Sequence, residues 1–166
     1  IQNSTEWRNN IIGKIRYYKK IRAPFYDEVY EIINKCISIK TSSLKKLNIH
    51  CLSQIAEYLN IKFNFSISSD SGFDYSNVKN AGDWAFEISK QMNATTYINP
   101  LSGKNLFKID KFNNQGIEIN FLKSNEIFYQ QSKRNFISGL SIVDVMMFNS
   151  KQVIKRFIND YELTKR

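Results

Sequence analysis

Two short stretches of β-branched and aromatic residues do most to limit what this chain can fold into. Thr95-Thr96-Tyr97-Ile98 breaks off at Asn99-Pro100, and Ile117–Leu122 follows after a loop and a short helical stretch around Asn105–Phe107. A connection of that length is too long for a hairpin, so the two strands are predicted to run parallel with a crossover between them. The expected class is α/β. In detail it is a Rossmann-like three-layer arrangement with a mostly parallel sheet and a helical N-terminal portion. Ligands in such folds sit at the carboxyl ends of strands, which makes Ala94–Lys104 the first candidate pocket.

The flanking residues read mainly as helix. Trp7, Ile11, Ile15 and Tyr18 fall on one face of a helix over 5–21. Ser4 or Thr5 can cap its start, and Ala23-Pro24 stops it. Pro24 opens a second helix carrying Val29, Ile32, Ile33, Cys36 and Ile37. Thr41-Ser42-Ser43 offers caps for a third helix, with Leu44, Leu47, Cys51, Leu52, Ile55 and Leu59 as its stripe and Asn60 as its end. The alternation of Phe63, Phe65 and Ile67 predicts a strand, and Ser68-Ser69-Asp70-Ser71-Gly72 a polar loop. A helix is expected over 80–92, ending at Asn93. After an irregular stretch from Ser124 to Gly139, Leu140–Phe148 reads as an apolar helix. Ser150 caps a last one, and the charged tail from Asp160 reads as frayed.

Few residue sets carry chemistry. In Asn99-Pro100-Leu101-Ser102-Gly103-Lys104, Gly103 permits close backbone approach and Lys104 adds a positive charge. Free N–H groups at a helix start would favour phosphate there. The stretch lacks the first Gly of a Walker A loop and the Ser or Thr after its Lys, and it is not G-x-G-x-x-G. It is equally what an ordinary strand-to-helix turn looks like. Ser141-Ile142-Val143-Asp144 has the form of a capping box, and Asp144 is also a candidate acceptor for a sugar hydroxyl or an amine. Tyr129 and Gln130 stand out as candidates to line a pocket. The single His50 reads as a surface or helix-packing residue. With one His and only Cys36 and Cys51, no zinc set and no Ser-His-Asp or Cys-His set can be assembled. No metal and no cofactor is expected.

Composition narrows the partners. The chain has 166 residues with 24 Lys+Arg against 15 Asp+Glu, a net charge of +9. Such an excess suits nucleic acid, an acidic membrane surface or a phosphate-bearing ligand. The basic residues are spread along the chain, apart from one cluster at Lys14, Arg16, Lys19, Lys20 and Arg22. Abundant Lys, Asn and Ile is also what an AT-rich genome produces. Nucleic acid is the least favoured of these origins. There is no apolar run long enough to span a membrane. Two unpaired cysteines fit a reducing, cytoplasmic compartment. The start, Ile1-Gln2-Asn3-Ser4, has no signal-peptide character and no initiator Met.

Taken in order, several of these residues resemble the WbqC-like family, bacterial proteins found with O-antigen and other surface-polysaccharide genes. They are Tyr97-Ile98-Asn99-Pro100, Gly103-Lys104, Phe112, Gly116-Ile117, Tyr129-Gln130, Phe136 and Leu140-Ser141-Ile142-Val143-Asp144. Ala23-Pro24-Phe25-Tyr26, Tyr58-Leu59-Asn60-Ile61 and Ser68-Ser69 fit as well. The resemblance implies one domain over residues 1–166 that lacks a family N-terminal strand and its Gln-Pro-x-Tyr-x-Pro-like motif. It also implies a group transferase, placing glycine or another amino-acyl group on a nucleotide-linked sugar. On that reading the substrate is a nucleotide sugar. Asp144 and Tyr129 are the candidate catalytic residues, and Asn99, Ser102, Gly103, Lys104, Gln130 and Ser141 bind substrate in the same cleft. The alternative is a non-catalytic ligand- or partner-binding module of the same pathway. Pro100-Leu101-Ser102-Gly103 departs from the family, where many relatives are richer in Gly at this loop.

Overall fold

The structure is a computed structural model that describes residues 6–132 and 135–165. The chain parts into two compact units. One takes the residues up to Phe63 together with Glu126–Asn159, and the other takes Asn64–Asn125 and the residues from Asp160 onward.

The first unit is helical. It holds α1 (Glu6–Lys20), α2 (Tyr26–Ser38), α3 (Leu44–Tyr58), α6 (Ile142–Phe148) and α7 (Lys151–Asn159). The predicted stripe of α1 buries Ile15 with Ile11 and Tyr18 beside it. The Ser4 or Thr5 cap lies outside the described residues. The stop of α1 comes before Pro24: Arg22 turns into the left-handed region (φ 57°), and the Ala23 N–H closes back on the Tyr18 carbonyl at 3.0 Å. That is a Schellman-type end on a residue with a Cβ. Asn60 (φ 51°) ends α3 in the same way, as expected, with the Ile61 N–H on the Ala56 carbonyl at 2.8 Å. Ser43 caps α3 through the Lys46 N–H, and Ser150 caps α7 through the Val153 N–H. Arg8 of α1 donates to the carbonyls of Ile37 and Ile39 at 2.7 and 3.0 Å. It thereby satisfies acceptors at the end of α2 that have no partner within that helix. Val29, Ile33, Leu59, Met146, Met147 and Ile154 fill the core.

The second unit carries the sheet. It contains α4 (Ala81–Gln91), β1 (Thr96–Pro100), α5 (Ile109–Asn113), β2 (Glu118–Ser124) and β3 (Tyr161–Lys165). β1 and β2 run parallel, with Tyr97 opposite Ile119 and Asn99 opposite Phe121. The predicted crossover is therefore present, made of a 3₁₀ turn over Leu101–Leu106 and α5. Asn93 (φ 51°) ends α4, as expected. The start of α4 is a capping box: the Asn80 carboxamide accepts from the Gly82 N–H, and the Asp83 carboxylate accepts from the Asn80 N–H. A Cβ on Gly82 would overlap the Leu106 carbonyl oxygen, so only glycine lets α4 lie this close to the 3₁₀ turn. Phe86, Phe107, Phe112, Ile117, Ile119 and Phe121 make a mainly aromatic core.

Three expectations are corrected. The tail from Asp160 is ordered as β3, antiparallel to β2 with Leu163 opposite Leu122. The sheet is thus mixed, with one parallel and one antiparallel pairing. No strand forms over 62–67, where Phe63 and Phe65 are exposed. Alternation specifies an extended backbone, but a strand also requires an edge to pair with.

Candidate functional site

The most polar buried point of the first unit is Asp144. Val145, Met146 and Met147 are buried in the core, and seating them carries Asp144, in the first turn of α6, inward to 5% exposure. Its carboxylate is met by neutral donors. The Tyr18 hydroxyl of α1 reaches Oδ2 at 2.8 Å, and the Tyr129 hydroxyl and Gln131 Nε2 reach Oδ1 at 2.7 and 3.1 Å. Gln131, itself buried, also pairs twice with the Ile137 backbone, donating to its carbonyl at 2.9 Å and accepting its N–H at 2.8 Å. Phe136 packs edge-on to the Tyr129 ring at 5.4 Å. Among the described residues, no cation pairs with Asp144.

This geometry assigns proton roles. Burial, and then the Asp144 carboxylate, raise the Tyr18 hydroxyl far above the ordinary tyrosine range. Burial followed by the hydrogen bond to Asp144 pushes Tyr129 up to about 12, against a smaller opposing effect of Gln131. Both phenols stay protonated near neutral pH and act as donors.

Ser141 and Gln130 lie outside this network. The Ser141 hydroxyl is exposed and caps α6 by accepting the Val143 N–H at 3.3 Å. The capping-box reading therefore holds for Ser141 and fails for Asp144, whose oxygens are taken by Tyr18, Tyr129 and Gln131. Gln130 is exposed between Tyr129 and the buried Gln131. Sequence reasoning missed Tyr18 and Gln131. Tyr18 reads in the sequence only as part of the apolar face of α1, and along 129–131 it is Gln131, not Gln130, that is buried and bonded to the Tyr129 hydroxyl.

In the second unit, Asn99 lies near the end of β1, and Ser102, Gly103 and Lys104 lie in the 3₁₀ turn that follows it. The Asn99 side chain is used locally at the strand end, accepting from the Tyr97 hydroxyl and donating to the Pro100 carbonyl, both at 2.9 Å. Gly103 packs against the same carboxamide, where a Cβ would overlap its nitrogen. The Lys104 ammonium lies 5.9 Å from the centre of the Phe121 ring, and Ser102 is exposed. These four residues and the Tyr129–Asp144 set fall in different units.

A second constellation in this unit was not foreseen. Lys111 of α5 pairs with Asp83 at 2.7 Å and approaches Glu87 at 4.0 Å, its ammonium 4.2 Å above the Phe86 ring. Asp83 and Glu87 are buried one turn apart on α4. Lys111 holds the Asp83 carboxyl below the usual range, helped by the Lys79 N–H. A cavity of about 350 Å³ opens beside them, lined by Asn80, Asp83, Asn105, Lys108 and Lys111. None of the four loop residues lines it.

His50 Nε2 lies 3.0 Å from the Lys35 carbonyl, a helix-packing position. Among the described residues, no group of three or more His, Cys, Asp or Glu is placed to hold a metal ion, and no helix is long and apolar enough to cross a membrane.

Fold and sites together define a mixed α/β protein with a buried carboxylate network in its helical unit and a buried ion-paired cluster in its sheet unit. The family model described as the WbqC-like protein family matches residues 1–156, and the chain belongs to that family. No curated protein and no solved structure matches it.

Proposed function

We propose that this WbqC-like protein is a cytoplasmic group transferase that places an amino-acyl group, such as glycine, on a nucleotide-linked sugar during O-antigen or other surface-polysaccharide synthesis. The observation that supports this most is Asp144: a buried carboxylate held by neutral donors, with no cation paired to it among the described residues. Burying a carboxylate away from water is costly, and functional sites are where such groups are concentrated. In the proposed step, Asp144 takes the proton of the attacking amine or hydroxyl. The new bond forms to the acyl carbon of an activated donor, whose leaving group departs with the electron pair. Tyr18 and Tyr129 remain protonated and hold the carboxylate in place. Gln130 and Ser141, exposed nearby in sequence, are assigned to substrate. In the second unit, Asn99, Ser102, Gly103 and Lys104 are assigned to a phosphate-bearing substrate. The Rossmann-like arrangement of the whole domain belongs to the same reading and is supported by the parallel β1–β2 crossover.

A second reading, a non-catalytic binding module of the same pathway, is favoured by how completely the Asp144 oxygens are already hydrogen-bonded. A thermal-shift screen of the full chain against nucleotide sugars, nucleoside phosphates and amino acids separates the two, because a ligand of the folded state raises the melting point by mass action. A rise with one nucleotide sugar, together with turnover of it that is lost in Asp144→Asn, is the expected result. A rise without turnover supports the binding module. No rise with a nucleotide sugar overturns the substrate assignment.

A further inference from the structure

The helical unit contains a cavity that neither the resemblance nor the Asp144 network accounts for. It is an open cleft of about 620 Å³ between α1 and α2, with two walls of opposite charge. Arg16, Lys19 and Lys20 line the α1 side, spaced three and four residues apart so that they project together. Asp27 and Glu31, one turn apart, line the α2 side. Between them stand Tyr26 and Tyr30, their rings stacked at 5.4 Å and 30°.

Three cations on one helix face repel one another. Lys19 and Lys20 are accounted for by the last turn of α1, where positive charge offsets the helix dipole. Arg16 lies a turn earlier, beyond the reach of that effect. Among the described residues none of the three cations forms an ion pair, although two carboxylates line the same cavity. The two walls thus face a common space without closing on each other. Burial and then Tyr30 raise the Tyr26 hydroxyl above its ordinary value, with Arg16 opposing them.

We propose that this cavity binds a nucleoside phosphate. The phosphate oxygens take the cationic wall, where a guanidinium offers paired N–H donors. The ribose hydroxyls donate to Asp27 or Glu31, the pairing that carboxylates make in dinucleotide sites. The base lies against Tyr30, the less buried ring of the pair, as bases stack on aromatic rings elsewhere. A ligand with a negative group at one end, hydroxyl donors in the middle and a flat ring matches each wall. The volume falls in the range of small-molecule sites, about 300–1,000 Å³. On α1 the helical rotation of 100° per residue carries Arg16 and Lys20 to the side opposite Tyr18. The site therefore shares no residue with the Asp144 network and does not rest on the transferase reading.

The test is titration calorimetry of the full chain with uridine and adenosine diphosphates, pyrophosphate and the free nucleosides. Nucleoside diphosphates are expected to bind, more weakly as salt rises. The double variant Arg16→Gln/Lys20→Gln is expected to lose at least about tenfold in affinity, equal to about 1.4 kcal/mol. Both changes are on the exposed face, and an unchanged melting point confirms the fold. Tyr30→Ala is expected to weaken the nucleoside diphosphates and leave pyrophosphate unchanged. The proposal is overturned if the folded protein binds no nucleoside diphosphate, if the double variant binds as tightly as the parent, or if pyrophosphate binds as well as the nucleoside diphosphates. Loss of this site would leave the Asp144 reading to its own turnover test.

Discussion

The Tyr129 hydroxyl donates to Asp144 Oδ1 over 2.7 Å, and the Tyr18 hydroxyl donates to the other oxygen of the same carboxylate at 2.8 Å. Two helices and the irregular segment before α6 are thus joined at one buried charge. Removing either hydroxyl leaves Asp144 a donor short in a site water reaches poorly. Tyr18→Phe and Tyr129→Phe should each cost about 1–3 kcal/mol, the desolvation penalty of an underpaired polar group. Urea unfolding of the two single variants and the double variant will show a coupling between them, because both serve one acceptor. Strict additivity would contradict a shared role.

These two tyrosines and Tyr58 set an alkaline limit. Tyr129 and Tyr58 are pushed from 10.0 to about 12, in each case first by burial, and Tyr18 is raised further. A raised folded pKa means the folded state holds its protons longer than the unfolded chain. The contribution is complete below pH 10 and falls as the pH climbs through 12, as the unfolded phenols ionise first. The urea midpoint should therefore drop across that window, and less steeply in Tyr129→Phe. A level midpoint above pH 10 would contradict the assignment.

Two glycines make an opposed pair. A Cβ at Gly82 meets the Leu106 carbonyl, a backbone atom that cannot swing aside, whereas one at Gly13 meets nothing within 4 Å. Gly82→Ala should destabilise the protein by about 1–3 kcal/mol, as overpacking does. Gly13→Ala lies inside α1 on its exposed face and should stabilise it by roughly 0.5–1 kcal/mol, through helix propensity. Denaturant midpoints of the two variants should move in opposite directions.

These residues also show how far the sequence could be read. The stripe of α1, the ends at Asn60 and Asn93 and the parallel β1–β2 pair are local or near-local, and periodicity and turn chemistry report them directly. β3 was hidden because Tyr161-Glu162-Leu163-Thr164-Lys165 lies at a sheet edge, where charged residues are tolerated and alternation is weak. The Asp144 network was half visible. Tyr129 and Asp144 were picked out. Tyr18 lies 126 residues from its partner, and nothing local in α1 distinguishes a tyrosine that packs from one that also donates. The cluster around Lys111 was invisible for the same reason, since it joins α4 to a helix 28 residues away.

That cluster gives an acid limb. Lys111 and the Lys79 N–H hold the Asp83 carboxyl below its ordinary 3.8. A depressed folded pKa contributes stability above that value, and the contribution is lost as the pH falls through the lower one. Lys111→Met should lower stability at neutral pH, leaving Asp83 and Glu87 facing each other without their cation. It should also flatten the fall in stability below about pH 4. A variant with the parent's acid profile would show that Asp83 draws its shift from the backbone alone.

Cys36 and Cys51 face each other across α2 and α3, each thiol donating to the other's backbone carbonyl, at 3.8 and 3.6 Å. Burial, and then Cys51, push the Cys36 thiol up to about 12. The thiolate is the reactive form, so folded Cys36 is doubly protected, by access and by protonation. In a Cys51→Ala background, alkylation of Cys36 near neutral pH should proceed only through opening of the helical unit. Its rate should then rise with urea in step with the unfolded fraction. If Cys36 in the folded protein reacts as fast as in the denatured chain, α2 and α3 do not bury it. If the rate rises well before global unfolding, α2 and α3 separate as a local unit, and the least stable part of the helical core is identified.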